Sequence, residues 1–160
     1  MLRKLGYTEI KRYHMNEGHA SLLVLELMRE RKGSDEAVWD FEGVRESCVF
    51  TTHTPVSAGH DRFSYDLAKN VLGEYMPAEI IKMLGGEEGL NMTLLALNLS
   101  HYVNGVAKRH GEVSRGMFPG YSIDSITNGV HSYTWTSDSF RRLYDKYIPG
   151  WAADSFTLRY

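Results

Sequence analysis

Apolar and polar positions fall into blocks along the chain, and each block has its own period. From Ile10 to Met15 they mix in the alternation of a short strand, and Asn16-Glu17-Gly18 reads as the turn after it. The run HASLLVLELMRERK places Leu22, Leu23, Leu25, Leu27 and Met28 ahead of Arg29, Arg31 and Lys32. That predicts a helix with cations at its negative C-terminal pole, closed by Gly33. Ser34 or Asp35 can cap a second helix, from about Glu36 to Glu46. Cys48 to Thr52 is a short apolar run that reads as a buried strand.

Beyond a polar loop, Leu67, Val71 and Leu72 predict a helix over Phe63 to Tyr75, and Pro77 can start another over Ala78 to Leu84. Asn91 to Leu99 is a strongly apolar helix, Tyr102 to Val106 a short strand or turn, and Ala107 to Ser114 a helix start. Ile123 to Val130 reads as a strand reaching Asn128-Gly129. Thr136 or Ser137 caps a helix to Tyr147 with Phe140, Leu143, Tyr144 and Tyr147 on one face, and Pro149-Gly150 breaks it. The alternation predicts an α/β layered domain with parallel strands and flanking helices. The last residues carry no closing signal, so the chain reads as stopping in the middle of something.

Composition changes this picture little. The 160 residues suit one core, with net charge −2, 42% apolar and 24% charged residues. No basic excess points to nucleic acid, and no apolar run reaches the ~20 residues a membrane-spanning helix needs. The N-terminus lacks the apolar core of a signal peptide, and the single cysteine, Cys48, lies in the apolar strand as a buried inert thiol. The cytoplasm is the expected compartment.

The chemistry concentrates where strands end. The groups are His14-Met-Asn-Glu17-Gly-His19, then Thr51-Thr52-His53-Thr54 with His60-Asp61, then Thr127-Asn128-Gly129-Val-His131. In open α/β sheets a ligand sits in the crevice beyond the carboxyl ends of the strands, and a ligand rich in hydroxyls needs many short hydrogen-bonding partners. Ordinary turns and helix caps use the same residue types. His14 reads as a satisfied core imidazole, and His101 and His110 as structural or solvated. A metal-dependent enzyme is a rival reading, but His14 and His19 lack the i, i+4 spacing of a zinc-binding helix. No Gly-x-Ser-x-Gly elbow marks a serine hydrolase, and Gly85-Gly86 and Gly89 lack the strand-to-helix setting of a phosphate loop.

Four stretches in order, YHMNEGHASLLVLEL, VFTTHTPVSAGHDRF, NMTLLALNLSHYVNGVAKRHGEVSR and FPGYSIDSITNGVHSYTWTSDSFRRLYDKYIPGW, resemble the α-glucan phosphorylases of the glycogen and maltodextrin type. The resemblance runs from about Gly6 to Tyr160 and is nearest the shorter microbial branch. Members of that family are several times longer and pair two Rossmann-like domains across a cleft, the GT-B arrangement. The resemblance implies a partial GT-B fold, with residues 1–126 from the later part of the N-terminal domain and 127–160 from the crossover and start of the C-terminal domain.

It also implies phosphorolysis of terminal α-1,4-linked glucosyl units to glucose 1-phosphate. His53 matches the histidine whose ring bonds the glucosyl 6-hydroxyl, the catalytic position. Asn128 matches the asparagine that binds the same hydroxyl, and Glu17 and His19 match the residues lining the sugar pocket. Thr52 and Thr54 are not part of that match; from their place beside His53 they are expected to support the histidine. Many relatives carry Asp-Thr-His where this chain has Glu17-Gly18-His19. His60 and Asp61 are read as serving loop shape or contacts to the acceptor sugar. The family's pyridoxal phosphate is bound by a lysine in a Ser-Gly-Met-Lys-like stretch, which does not occur here, nor does the basic segment that handles phosphate. The isolated chain is therefore expected to be inactive, with α-1,4-glucan, phosphate and the remainder of the enzyme as partners, and self-association through uncovered apolar surface. The alternative is a non-catalytic glucan-binding module or subunit.

Overall fold

The computed structural model describes residues 2–32, 38–73 and 75–159. Two compact units divide the chain, Met1–Thr127 and Asn128–Tyr160.

In the first unit a 3-10 turn over Leu2–Leu5 precedes β1 (Tyr13–Asn16), which is shifted toward the C-terminus of the expected strand and is followed by a 3-10 turn over Gly18–Ala20. Helix α1 (Leu22–Arg31) buries Val24, Leu25, Leu27 and Met28. Its expected stop at Gly33, and the caps expected at Ser34 or Asp35, lie outside the described residues. Helix α2 occupies Phe41–Ser47, shorter than expected, because Asp40 provides the cap by accepting from Gly43 N. Strand β2 (Cys48–Thr52) has the expected bounds. Cys48 is fully buried, and burial pushes its thiol pKa up.

Then come β3 (Arg62–Phe63), α3 (Tyr65–Leu72), α4 (Ala78–Gly85), β4 (Leu90–Asn91), α5 (Met92–Asn98), β5 (Tyr102–Gly105), α6 (Lys108–Met117) and β6 (Asp124–Ser125). Ser64 shortens the α3 prediction by capping at Leu67 N, and the Asn91 side chain caps α5 through Thr93 N and Leu94 N. β3 and β4 form a small antiparallel ladder absent from the sequence reading.

The main sheet is wholly parallel, in the order β1-β2-β5-β6. This confirms the α/β expectation and matches a partial Rossmann-like GT-B domain. Asn16 pairs with Thr51, and Thr51 with Asn104, so the strands end level with one another. Met15, Phe50 and Val103 face a core completed by α1 and α5. Fully burying a side chain such as Phe50 or Leu25 contributes about 2 kcal/mol. The strand expected over Ile123 to Val130 is corrected to the two residues of β6: after Ile126 N bonds Gly105 O, residues 126–130 are exposed and leave the ladder.

In the second unit a short helix α7 (Ser132–Trp135), not expected from the sequence, precedes α8 (Asp138–Tyr147), which matches the expected helix from Thr136 to Tyr147 but starts two residues later. The expected cap at Ser137 makes no side-chain cap bond, and the Thr136 hydroxyl instead donates to Ser132 O at 2.7 Å. Trp151 is the anchor, stacked on Tyr133, edge-on to Tyr144, and donating Nε1–H to Asp145 at 2.9 Å. Phe140, Leu143 and Tyr147 remain exposed. Among the described residues no helix is long and apolar enough to cross a membrane.

Candidate functional site

The parallel register sets the carboxyl ends of β1 and β2 side by side, and the first two polar groups meet there. His53 follows β2 directly and is exposed. Its ring Nε2 lies 2.6 Å from the Asn16 Oδ1. Its backbone N–H donates to Glu17 Oε2 at 2.7 Å, and the Thr54 hydroxyl donates to the same oxygen at 2.9 Å. The other oxygen, Oε1, accepts from Gly18 N at 2.9 Å and faces the Thr52 hydroxyl at 3.5 Å. One carboxylate thus ties the end of β1 to the loop after β2.

Glu17 achieves this in a backbone conformation of φ 77° and ψ 162°, the sole non-glycine positive φ among the described residues. Burial acts to raise its pKa, but the bonds from His53 N, Gly18 N and Thr54, with the nearby His60, outweigh it and leave the pKa lowered. Glu17 is ionised at neutral pH, with its lone pairs directed at the protein.

Thr52 is 1% exposed, so its hydroxyl supports Glu17 from within. His19 is exposed beside the same strand end. Asn128 opens the second unit and is exposed, and His131 there bonds the Thr134 hydroxyl at 2.6 Å. His60 is buried with Nδ1 2.8 Å from the Thr93 hydroxyl and its ring edge-on to Phe118, which gives it a loop-shaping place. Burial lowers its pKa. Asp61 is exposed, and its carbonyl accepts from Met92 N at 3.1 Å.

His14 differs from the core imidazole expected: it is exposed, yet satisfied by the Thr51 hydroxyl at 2.7 Å. Thr51 in turn donates to Asn104 Oδ1 at 2.9 Å, and Asn104 Nδ2 to Gly105 O at 3.1 Å. This cross-strand chain beneath the site was missed in sequence, as was the contact from Asn16, because threonine and asparagine at strand ends look like turn formers. Among the described residues, no three His, Cys, Asp or Glu side chains converge as a metal site.

No protein-family model matches the chain. Curated relatives do. A glycogen phosphorylase of Mycobacterium tuberculosis (strain CDC 1551 / Oshkosh) is 39% identical over 158 aligned residues, covering 82% of this chain and 18% of the relative. A maltodextrin phosphorylase of Thermococcus litoralis is 35% identical over 92% of this chain and 19% of its own length. A glycogen phosphorylase of Aquifex aeolicus is 34% identical over 92% of this chain and 24% of its own length. The chain thus spans about a fifth of the length of these relatives.

Proposed function

Because this chain belongs to the glycogen and maltodextrin phosphorylase family, we propose that it grips the terminal glucosyl unit of an α-1,4-glucan during transfer of that unit to phosphate. The observation that carries the reading is His53, an exposed imidazole at the carboxyl end of a parallel strand, fixed by Asn16 at the ring and by Glu17 at the backbone. A group held this way meets its ligand without reorganising, which favours both orientation and electrostatic stabilisation.

His53 is assigned to the glucosyl 6-hydroxyl, and Asn128 and His19 are assigned to sugar hydroxyls in their own right. Glu17 and Thr52 act through the loop rather than on the sugar, since their polar atoms are engaged within the protein.

In this family reading pyridoxal phosphate supplies phosphate-centred acid–base chemistry. The lysines here do not fit it. Lys4, Lys11, Lys69, Lys82, Lys108 and Lys146 are exposed, and Lys32 lies over the Trp39 ring at 4.6 Å. A Schiff-base lysine needs a desolvated pocket. We therefore derive no step through the cofactor, and the isolated chain binds sugar without turnover.

Calorimetry with maltotriose tests the reading. Wild type should give binding heat that His53→Ala loses, and equal heats for the two would overturn it. Glucose 1-phosphate formed from maltodextrin and phosphate by the 160-residue chain alone would overturn the assignment of the chemistry to other residues.

A further inference from the structure

We propose that Asn16 is a positioning residue that sets the tautomer of His53, so that ring Nδ1 meets the ligand as a hydrogen-bond acceptor. The inference rests on the reading above, in which His53 takes a sugar hydroxyl, and it deepens that reading by naming the direction of the bond.

The argument starts from one contact. Asn16 Oδ1 lies 2.6 Å from His53 Nε2. An amide oxygen only accepts, so in the neutral ring the proton sits on Nε2 and the lone pair on Nδ1. Both residues are exposed, where water competes for such a bond. The surrounding backbone offsets that competition. Asn16 pairs with Thr51 in the β1–β2 ladder, and Glu17 N donates to Thr51 O at 2.8 Å. Glu17 then holds the His53 backbone N–H at 2.7 Å. Adjacent residues therefore clamp one histidine twice, and the ring contact forms within a frame already fixed.

The consequence is a rule for the ligand. A group meeting Nδ1 must donate a proton, as a hydroxyl does. A fluorine or a methyl ether at the same sugar position has no proton to give, and leaves Nδ1 unpaired. Asn16 itself touches no ligand in this scheme and acts through the imidazole.

The test is nitrogen-15 NMR of His53 in the full chain at about pH 8, above the ordinary imidazole range. Wild type should show Nε2 protonated and Nδ1 bare. Asn16→Asp keeps an acceptor and should keep that signature. Asn16→Ala removes it and should shift the ring toward a mixture of tautomers. A residue with a merely structural role would leave the tautomer ratio unchanged. A proton on Nδ1 in wild type, or the same ratio in wild type and Asn16→Ala, overturns the proposal. Should Asn16→Ala fail to fold, Asn16→Val, which suits the strand and lacks the acceptor, takes its place in the same comparison. Titration with maltotriose reads the premise separately. A bare Nδ1 that does not respond to the sugar upholds the tautomer assignment and removes the glucan reading.

Discussion

The carboxylate of Glu17 accepts the backbone N–H of His53 at 2.7 Å across 36 residues of chain. The residue that makes this link stands at φ 77° and ψ 162°, a region that suits glycine. Side chains persist there only where their surroundings over-determine the conformation. Close bonds from Gly18 N, His53 N and the Thr54 hydroxyl do so here.

Two substitutions separate the bonds from the strain. Glu17→Ala loses the carboxylate and keeps a side chain in the unfavourable region, so it should cost about 2–3 kcal/mol. Glu17→Gly loses the same bonds but relieves the backbone, and should be milder by about 1 kcal/mol. Urea denaturation midpoints order the two. An alanine variant as stable as the glycine variant would show that Glu17 carries no strain.

The lowered pKa of Glu17 has a pH signature. Burial works against ionisation, and the hydrogen bonds overcome it. The folded pKa therefore lies below the unfolded value of about 4.3, and the unfolded chain binds more protons as pH falls. The stabilisation is complete above the unfolded pKa and drains away as pH falls through the folded one. Glu17→Gln should be less stable than wild type at pH near 7, with the gap narrowing as pH falls below about 4. Denaturation midpoints across that range check it, and a gap independent of pH would exclude ionised Glu17 as its source.

What the sequence made legible follows from how local each signal is. Strand β2 was readable to the residue because Cys48-Val49-Phe50 is apolar and bounded by polar groups. Strand β6 was overestimated because Ile126 and Val130 look like strand residues, while ladder pairing depends on a neighbour supplied from far along the chain. Helix α2 starts later than expected because several residues of capping type stand in that stretch and sequence alone does not rank them; the bond that forms is from Gly43 N to Asp40. His53 was singled out through the flanking motif, and its exposure at the end of β2 is what the structure adds. The parts played by Asn16 and Glu17 were hidden, since Asn-Glu-Gly spells an ordinary turn and nothing local reveals bonds to a loop some 36 residues away.

Beneath the site, the hydroxyl of Thr51 links His14 and Asn104 across three adjacent strands. Thr51 and Asn104 are 8% and 5% exposed, so their polar atoms have little access to water. Thr51→Val keeps the shape, removes both bonds and strands Asn104 Oδ1 without its donor. It should destabilise the protein by about 1–3 kcal/mol. Thr51→Ser retains the hydroxyl and should recover most of that loss. Thermal unfolding of the two variants checks this, and a valine variant matching wild type would mean that the chain of bonds adds nothing to stability.

Two glycines of one region should respond oppositely to alanine. Gly105 ends β5 where α6 passes close by: a methyl group there would lie 2.5 Å from His110 Nδ1 and 3.1 Å from Gly111 N. His110 Nδ1 also accepts from Val106 N at 3.2 Å, and Gly105 O accepts from Ile126 N at 2.9 Å. The helix would have to move away and loosen both β5 and β6, so Gly105→Ala should cost about 1–3 kcal/mol. Gly116 lies within α6 with nothing within 4 Å of an added methyl. Gly116→Ala restricts the unfolded chain and favours the helix, and should stabilise by about 0.5–1 kcal/mol. Urea midpoints should move in opposite directions, and amide exchange at Val106 should speed up in Gly105→Ala alone. A Gly105→Ala protein as stable as wild type, with Val106 exchange unchanged, would show that the close approach of α6 to the end of β5 is not needed by the fold.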